Sequence, residues 1–188
     1  KYGHRLRSTH DAILVGINTV LSDDPMLNCR LEGLQNRSPC RIILDTSLRI
    51  PEDSKIIKTA EDINTIIFTN PNANRNKIKK LELLNVKVLK VSQLENSYLN
   101  VDEILLKIGN EGFNNLLIEG GHTIITSFLS LENVKLIYWF SSDKIIGGDG
   151  LSSIGNLNLR NIKEGPNLKL IEMINLNNNY LQTYEVLK

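Results

Sequence analysis

The sequence is poor in the features that mark several classes of protein. Its 188 residues include two cysteines, Cys29 and Cys40, whose spacing fits neither a metal site nor a disulfide framework. We therefore interpret both as reduced thiols, which is typical of a cytoplasmic protein. No apolar run approaches the roughly 18 residues needed to span a bilayer. The composition thus favours a globular chain without disulfides or membrane spans.

Charge of one sign is also scarce, because the formal net charge is +1. Dedicated nucleic-acid or membrane-surface binders usually show a strong basic excess, so neither partner is expected. The three histidines, His4, His10 and His122, lack metal-ligand spacing, so no metal site is predicted. The length suits one domain whose core folds without disulfides or metals. Trp139, in an apolar run, is interpreted as core packing.

The first two thirds of the chain alternate strand-like and helix-like segments. Residues 4–10 predict the end of a helix that begins upstream, and residues 51–62 look irregular. Apolar runs predict strands at 12–15, 41–45, 65–69, 86–91 and 115–119. Helical spacing of apolar residues predicts helices at 74–85, with Ile78, Leu81, Leu83 and Leu84 on one face, and at 101–108 and 123–131. The alternation over 65–131 predicts parallel strands joined by crossover helices.

The last third has no clear helix. Strand-like runs occur at 135–140, 144–146, 168–174 and 180–187, and residues 175–179 resemble a hairpin turn. Such a tail predicts antiparallel strands added to the parallel part, giving one mixed sheet.

The stretch from Asp11 to Arg30 concentrates polar groups after a buried strand. We interpret it as a strand that runs into a loop ended by Pro25, with Arg7 just upstream. The loop would present Asn18, Thr19, Ser22, Asp23 and Asp24. In open α/β sheets the carboxyl ends of strands are where ligands bind. The alternative is a polar connection in which one of the two aspartates caps a turn.

Two further polar clusters follow predicted strands. Gly120-Gly121 separates a strand from a helix, and the N–H groups at a helix start suit a phosphate, although the turn needs no ligand. The neighbouring Glu119 could accept hydrogen bonds from ribose or amide groups, or cap the helix. Asp45-Thr46-Ser47, with Arg49 nearby, could hold another phosphate or form a plain turn.

Four segments together match a known family. They are LRSTHDAILVGINTVLSDDPMLNCR at 6–30, PCRIILDTSLRIP at 39–51, LLIEGGHTIITSFL at 116–129 and KIIGGDG at 144–150. Their order and spacing closely resemble the C-terminal reductase domain of the bifunctional riboflavin-biosynthesis deaminase/reductase of bacteria. The resemblance implies a dihydrofolate-reductase-like three-layer α/β fold with a central, mostly parallel mixed sheet and antiparallel C-terminal strands.

The resemblance also implies an activity, the NADPH-dependent reduction of 5-amino-6-(5-phosphoribosylamino)uracil to 5-amino-6-(5-phosphoribitylamino)uracil. The positions matched to cofactor contacts are Thr19, Asp23, Thr46, Gly121, His122, Thr123, Ile124, Ile125, Thr126 and Ser127. Those matched to substrate contacts are Arg7, Leu27, Arg30 and Glu119; the arginines suit the 5′-phosphate and the glutamate suits ribose or uracil. Asp23 and Glu119 are the ionisable candidates for proton transfer, and the sequence does not choose between them and a water molecule.

The resemblance further implies that residues 1–188 are a reductase domain without its first part. Family members carry Asp-Gly-Lys-type and Ser-x-Trp-Ile-Thr-type segments upstream, and a zinc-dependent deaminase domain before them. The implied partners are a small phosphorylated pyrimidine and a second copy of the chain. The alternatives are a reductase of a pterin and a non-catalytic nucleotide-binding or dimerisation domain. Arg7 and Arg30 favour a sugar phosphate over a pterin.

Overall fold

The structure, a computed structural model, describes residues 1–94, 98–131 and 133–187. The chain divides into two compact units, Lys1–Gly121 and His122–Lys188. We describe each unit by itself. In the described ranges, no helix is long and apolar enough to cross a membrane.

The first unit contains a five-stranded sheet in which every pair of neighbours is parallel. The strands are β1 (Ala12–Gly16), β2 (Cys40–Leu44), β3 (Thr65–Thr69), β4 (Val86–Lys90) and β5 (Leu116–Ile118). They are arranged in the order β4-β3-β2-β1-β5. Every residue of β1, β2 and β3 is buried, whereas β4 at the edge is partly exposed. This is the pattern expected when helices cover both faces of a parallel sheet, and the five predicted strands are confirmed.

One helix precedes these strands and the others connect them. They are α1 (Tyr2–Thr9), α2 (Ile17–Asp23), α3 (Lys55–Lys58), α4 (Arg75–Leu83) and α5 (Val101–Asn110), with a 3-10 turn at Gln35–Arg37. Asparagine side chains begin α4 and α5, since Asn74 accepts from two backbone N–H groups and Asn100 from one. The predicted apolar face of α4 is only partly right, because Leu81 is buried but Leu83 is 83% exposed.

Two connections differ from the sequence-based expectations. The predicted loop after β1 is instead the helix α2, because Ile17 and Val20, one turn apart, are both buried and anchor it. The irregular stretch 51–62 contains the short helix α3, whose Ile56 and Ile57 are also buried. In both cases a few apolar residues are enough to fix a short helix that polar neighbours disguise in the sequence.

Arg41 on β2 is fully buried in the first unit. Its guanidinium donates to the carbonyls of Ile56, Thr59 and Ile63 at 2.9–3.0 Å and to the hydroxyls of Thr59 and Thr65. Burial lowers the pKa of Arg41 to about 10, so the group is still charged at neutral pH. The side chain therefore ties the start of β2 and β3 to α3, a role that the apolar run RIIL did not reveal.

The second unit contains α6 (His122–Leu129) and the strands β6 (Leu136–Ser142), β7 (Asn167–Asn175) and β8 (Asn179–Leu187). The strands form an antiparallel sheet in the order β6-β8-β7. The turn at 175–179 closes through a Leu176 N–H to Asn179 carbonyl bond of 2.7 Å, with Asn177 at φ 65°. A short turn allows adjacent strands to pair antiparallel without a crossover.

The predicted α/β class, with parallel strands followed by antiparallel C-terminal strands, is confirmed. The strands belong to two sheets, however, and do not share a single mixed one, because β8 is paired on both sides within its own unit. Residues 144–146 form no strand and lead into a 3-10 turn at Gly147–Asp149. Trp139 is 38% exposed, so its interpretation as core packing does not hold for this chain. Both cysteines are free and buried.

Candidate functional site

The strand order of the first sheet marks one edge as a binding site. The chain runs from β1 through β2 and β3 to β4 on one side, and β5 then lies on the opposite side of β1. Ligands of open parallel sheets bind at the carboxyl ends of the strands where the order reverses, which here is between β1 and β5. Three predicted site elements follow strands that meet there: α2 after β1, Thr46 after β2 and Glu119 after β5.

Thr19 and Asp23 lie four residues apart on α2 and therefore on one face of the helix. Asp23 is exposed and has no hydrogen-bond or ion-pair partner in the described part of the chain. The adjacent Asp24 is engaged, since its Oδ1 accepts from the Lys55 backbone N–H at 2.9 Å at the start of α3. Of the two aspartates, Asp24 has the structural capping role and Asp23 is left for a ligand.

The Gly120-Gly121 turn passes beside α2. Both residues have positive φ, 91° and 81°, a conformation that other residues adopt only under strain. A Cβ atom built on Gly120 would lie 3.4 Å from the Thr19 Oγ1. The glycines thus bring bare backbone close to a hydroxyl-bearing helix, an arrangement that fits the pyrophosphate of a nucleotide cofactor.

Thr46 lies on a turn organised by Asp45, which is fully buried. The Asp45 Oδ2 accepts from the Ile50 N–H at 2.8 Å, while its Oδ1 is buried without a partner in the described residues. The Thr46 carbonyl accepts from the Thr69 hydroxyl at 2.9 Å and from the Asn70 N–H at 3.2 Å. The backbone of Thr46 is therefore fixed, and no hydrogen bond of its hydroxyl occurs within the described ranges.

Arg7 and Glu119 form a bidentate ion pair across the first unit. The Arg7 Nε donates to the Glu119 Oε1 at 3.0 Å, and its Nη2 donates to the Oε2 at 2.6 Å. The side chains are 18% and 28% exposed, so the pair is shielded but reachable from solvent. The Arg7 Nη1 donates to the Asn28 carbonyl at 3.2 Å. Two predicted substrate residues thus meet at the end of β5, as an aligned pair of opposite charges.

Arg30 lies close by and is exposed, with its Nε 3.4 Å from the His4 Nε2. Its two terminal nitrogens make no hydrogen bond or ion pair with described residues, so they can receive an anion. Leu27 has a left-handed backbone, with φ 51°, and the whole residue, backbone included, is 2% exposed within the core cluster. The structure therefore joins Arg7 to Glu119 directly and to Arg30 through Asn28 and His4, whereas Leu27 offers almost no surface to a ligand.

Sequence reasoning missed two residues of this cluster, His4 and Asn28. His4 lies one helical turn before Arg7, and its Nδ1 is 3.1 Å from the Asn28 carbonyl. The Asn28 Oδ1 is buried without a partner in the described part of the chain. The spacing of His4 and Arg7 on a predicted helix was an available signal, but the contact with residue 28 was not.

The remaining predicted cofactor residues belong to the second unit and open α6. The Thr126 hydroxyl donates to the His122 carbonyl at 2.6 Å, and the Ser127 hydroxyl donates to the Thr123 carbonyl at 3.0 Å. The Gly155 N–H donates to the Thr126 Oγ1 at 2.7 Å. His122 is exposed, whereas the other positions, Thr123, Ile124, Ile125, Thr126 and Ser127, are partly buried. His122 is thus the first residue of a helix.

Comparison with known proteins places this chain in a family. The model of the RibD C-terminal domain matches residues 1–181. The riboflavin biosynthesis protein RibD of Aquifex aeolicus is 36% identical over 176 residues, which cover 94% of this chain and 46% of that protein. The 2,5-diamino-6-ribosylamino-4(3H)-pyrimidinone 5′-phosphate reductase of the same organism is 29% identical over 171 residues, covering 90% of this chain and 74% of that protein.

Solved structures share the fold. Acinetobacter baumannii RibD matches with a TM-score of 0.81 at 21% identity, covering 98% of this chain and 49% of that one. A pyrimidine reductase-like protein of Corynebacterium diphtheriae matches with a TM-score of 0.81 at 19% identity, covering 98% and 79%. This chain spans about half the length of the RibD proteins that it matches. The resemblance described from the sequence is confirmed, and the chain belongs to the RibD C-terminal domain family.

Proposed function

We propose that this domain reduces 5-amino-6-(5-phosphoribosylamino)uracil to its ribitylamino product, with NADPH as the hydride donor. The observation that carries the proposal is the cluster at the β1/β5 edge. There Arg30 keeps two terminal nitrogens without partners in the described residues, and its Nε contacts His4, which shares the Asn28 carbonyl with Arg7 of the Arg7–Glu119 ion pair. A phosphorylated sugar needs a cation for the phosphate and polar groups for its hydroxyls, and the cluster offers both.

In this proposal Arg30 binds the 5′-phosphate, because its planar terminal nitrogens suit two phosphate oxygens. Arg7 contributes positive charge while its hydrogen bonds hold Glu119 in a fixed orientation. Glu119 then accepts hydrogen bonds from the ribose or the uracil. Leu27 is 2% exposed and packs in the core, so in this proposal it fixes the course of the segment that carries Arg30.

We propose cofactor contacts for residues of each unit, and each unit is considered by itself. Thr19, Asp23 and Thr46 in the first unit present hydroxyls and a carboxylate without partners in the described residues, which suit ribose and amide groups. In the second unit, the backbone N–H groups at the start of α6, from His122 as far as Ser127, suit a phosphate. NADPH, when bound, supplies the hydride that reduces the sugar C1.

The reaction adds a hydride and a proton to the C1–nitrogen imine of the ring-opened sugar. The chain's own contribution is to hold that carbon in place and to manage the proton. Asp23 is exposed and Glu119 is paired with Arg7, so Asp23 is the more available proton carrier and Glu119 the better orienting group.

A second candidate substrate is the undeaminated compound, 2,5-diamino-6-ribosylamino-4(3H)-pyrimidinone 5′-phosphate. It is favoured by the relative named as a reductase of that compound, which this chain covers over 74% of its length. Both candidates carry the same sugar phosphate, so Arg7 and Arg30 suit either substrate. The choice between them depends on groups that contact the pyrimidine ring.

The test is NADPH oxidation by the full-length protein with each pyrimidine and with dihydrofolate. We expect turnover with the phosphorylated uracil, and a loss of at least about tenfold, near 1.4 kcal/mol of barrier, in both Arg30→Ala and Asp23→Ala. Arg37→Ala, an exposed arginine on a 3-10 turn, is the matched control and should behave as wild type. Turnover of dihydrofolate alone, or wild-type rates in both site variants, would overturn the proposal.

We further propose that two copies pair through the antiparallel sheet and that a deaminase domain precedes this one in the full-length chain. The edge strand β7 exposes four large apolar side chains, Leu168, Leu170, Ile171 and Met173. An exposed apolar edge strand is a common site of pairing between chains. Light scattering of the full-length protein should show a dimer, and Ile171→Lys should shift it to the monomer if this edge is the interface.

A further inference from the structure

His4 contacts Asn28 and Arg30 through its two ring nitrogens. Its Nδ1 lies 3.1 Å from the Asn28 carbonyl oxygen, and its Nε2 lies 3.4 Å from the Arg30 Nε. The tautomer that carries Nδ1–H serves both contacts, because the Nδ1–H donates to the carbonyl and the bare Nε2 accepts from the Arg30 Nε–H. The Arg30 backbone N–H also lies 3.3 Å from the Nδ1, a contact that the other tautomer would satisfy, so the ring faces both the backbone and the side chain of Arg30. The Cys29 thiol also donates to the His4 carbonyl at 3.4 Å. Each of the residues 28, 29 and 30 thus contacts α1.

We propose that His4 is a positioning residue, which aims the Arg30 guanidinium at the substrate phosphate. The inference rests on the proposed function, in which Arg30 is the phosphate ligand. Arg30 is exposed and long, and a free arginine side chain loses much rotamer freedom when it binds. A hydrogen bond to its Nε fixes the plane of the guanidinium in advance and leaves both terminal nitrogens free for an anion.

The chemistry of the acceptor distinguishes the two arginines. Arg7 is held by a carboxylate, Glu119, which balances its charge. Arg30 is held by an imidazole nitrogen, an acceptor that adds no negative charge, so the positive charge of Arg30 stays available to the phosphate. A carboxylate in place of His4 would orient the guanidinium equally well but would compete with the anion. A neutral acceptor is therefore the group that positions this arginine without weakening it.

The experiment compares two substitutions of His4 in the full-length protein. His4→Leu keeps an apolar body but removes both the donor and the acceptor. His4→Gln keeps one of each, with the amide N–H facing the Asn28 carbonyl and the amide oxygen facing Arg30. His10→Leu is the matched control, because His10 ends the same helix and its Nδ1 contacts the Leu6 carbonyl and the Thr9 hydroxyl, not the 28–30 segment.

Two measurements distinguish a role of His4 in positioning Arg30 from a role in stabilising the fold. The first is binding of ribose 5-phosphate by titration calorimetry, with ribose as the uncharged comparison. We expect His4→Leu to weaken ribose 5-phosphate binding about tenfold, the loss of one hydrogen bond to a charged group. His4→Gln should recover most of that loss, and His10→Leu should bind as wild type. The second readout is kinetic: KM for the phosphorylated substrate should rise in His4→Leu, with kcat within about twofold.

A third experiment tests whether the effect of His4 on phosphate binding depends on Arg30. In an Arg30→Ala background, adding His4→Leu should cause no further loss of ribose 5-phosphate binding, because the positioned group is gone. If His4→Leu fails to fold, His4→Asn serves instead, since it is polar but too short to reach both partners.

Wild-type affinity for ribose 5-phosphate in His4→Leu would overturn the inference, and so would equal losses in His4→Leu and His4→Gln. An undiminished effect of His4→Leu in the Arg30→Ala background would overturn it as well. These outcomes are distinct from failure of the proposed function. That failure would appear as absent pyrimidine reduction by the wild-type protein, whatever the sugar-phosphate titrations show.

Discussion

Replacing Glu119 by glutamine removes the charge that holds Arg7 at the end of β5. The pair has two short contacts, 3.0 and 2.6 Å, and its side chains are 18% and 28% exposed. Hydrogen bonds to charged groups contribute about 1.5–3 kcal/mol, while fully exposed ion pairs contribute about 0.2–1 kcal/mol. This partly shielded, bidentate pair belongs between the two classes, so we expect a coupling energy of about 1.5 kcal/mol.

A double-mutant cycle with Arg7→Met and Glu119→Gln measures that coupling from urea unfolding of the protein. The Lys87–Glu111 pair is the matched control, because it is equally short at 2.6 Å but its lysine is 51% exposed. We expect less than about 0.5 kcal/mol from the control cycle. If the coupling between residues 7 and 119 is no larger than that of the control, the pair is not the rigid element that the site requires.

Three further outcomes test local features of the first unit. Gly120→Ala should destabilise the protein by about 1–3 kcal/mol in urea unfolding, because φ is 91° there. Gly109→Ala, in open space on α5, should instead stabilise it by about 0.5–1 kcal/mol, and equal effects would contradict the strain. Backbone hydrogen bonds from Asn115 and Asn114 lower the pKa of Asp11, so its stabilising contribution is present above about pH 4 and is lost as the pH falls through the lowered value. The stability difference between the wild type and Asp11→Asn should therefore shrink in acid unfolding titrations, and a constant difference would refute this origin. Burial raises the pKa of the Cys40 thiol to about 12, so iodoacetamide should modify it at neutral pH only as fast as the protein unfolds, whereas rapid labelling of the native protein would contradict its burial.

The central strands of the first sheet could be predicted from the sequence because short, mainly apolar runs mark them. Runs such as 12–15 and 65–69 are buried on both faces, as is typical of strands inside a parallel sheet. The pairing of the strands was not readable in the same way. Which sheet β6, β7 and β8 join depends on contacts between distant segments, and local alternation predicts only that they are strands.

Site residues that share one short segment could be predicted from the sequence. Contacts between residues far apart in the chain could not. The sequence places Thr19 and Asp23 on the segment after β1, but it predicts a loop where the structure has the helix that puts them on one face. Ile17 and Val20 are the two buried residues of this helix, against four polar residues. The contact between His4 and Asn28 joins residues 24 positions apart, so no local pattern could have indicated it.

The burial of Arg41 in the core also depends on long-range contacts that the local sequence does not indicate. A charged residue at the start of an apolar strand is normally expected at a surface, yet this one is fully buried among carbonyl and hydroxyl oxygens. The acceptors come from α3, from the turn that follows it and from Thr65 at the start of β3, and most of α3 and the turn look irregular in the sequence. Its burial follows from the tertiary position of α3.

Transfer of isotope from the cofactor tests the central claim most directly. The full-length protein is incubated with 5-amino-6-(5-phosphoribosylamino)uracil and NADPH that carries deuterium at the reactive C4 position, and the product is analysed by mass spectrometry and NMR. We expect a single deuterium at C1 of the ribityl chain, and a much lower yield from Arg30→Ala. A product without deuterium at that carbon, or no reduction of the pyrimidine at all, would contradict the account.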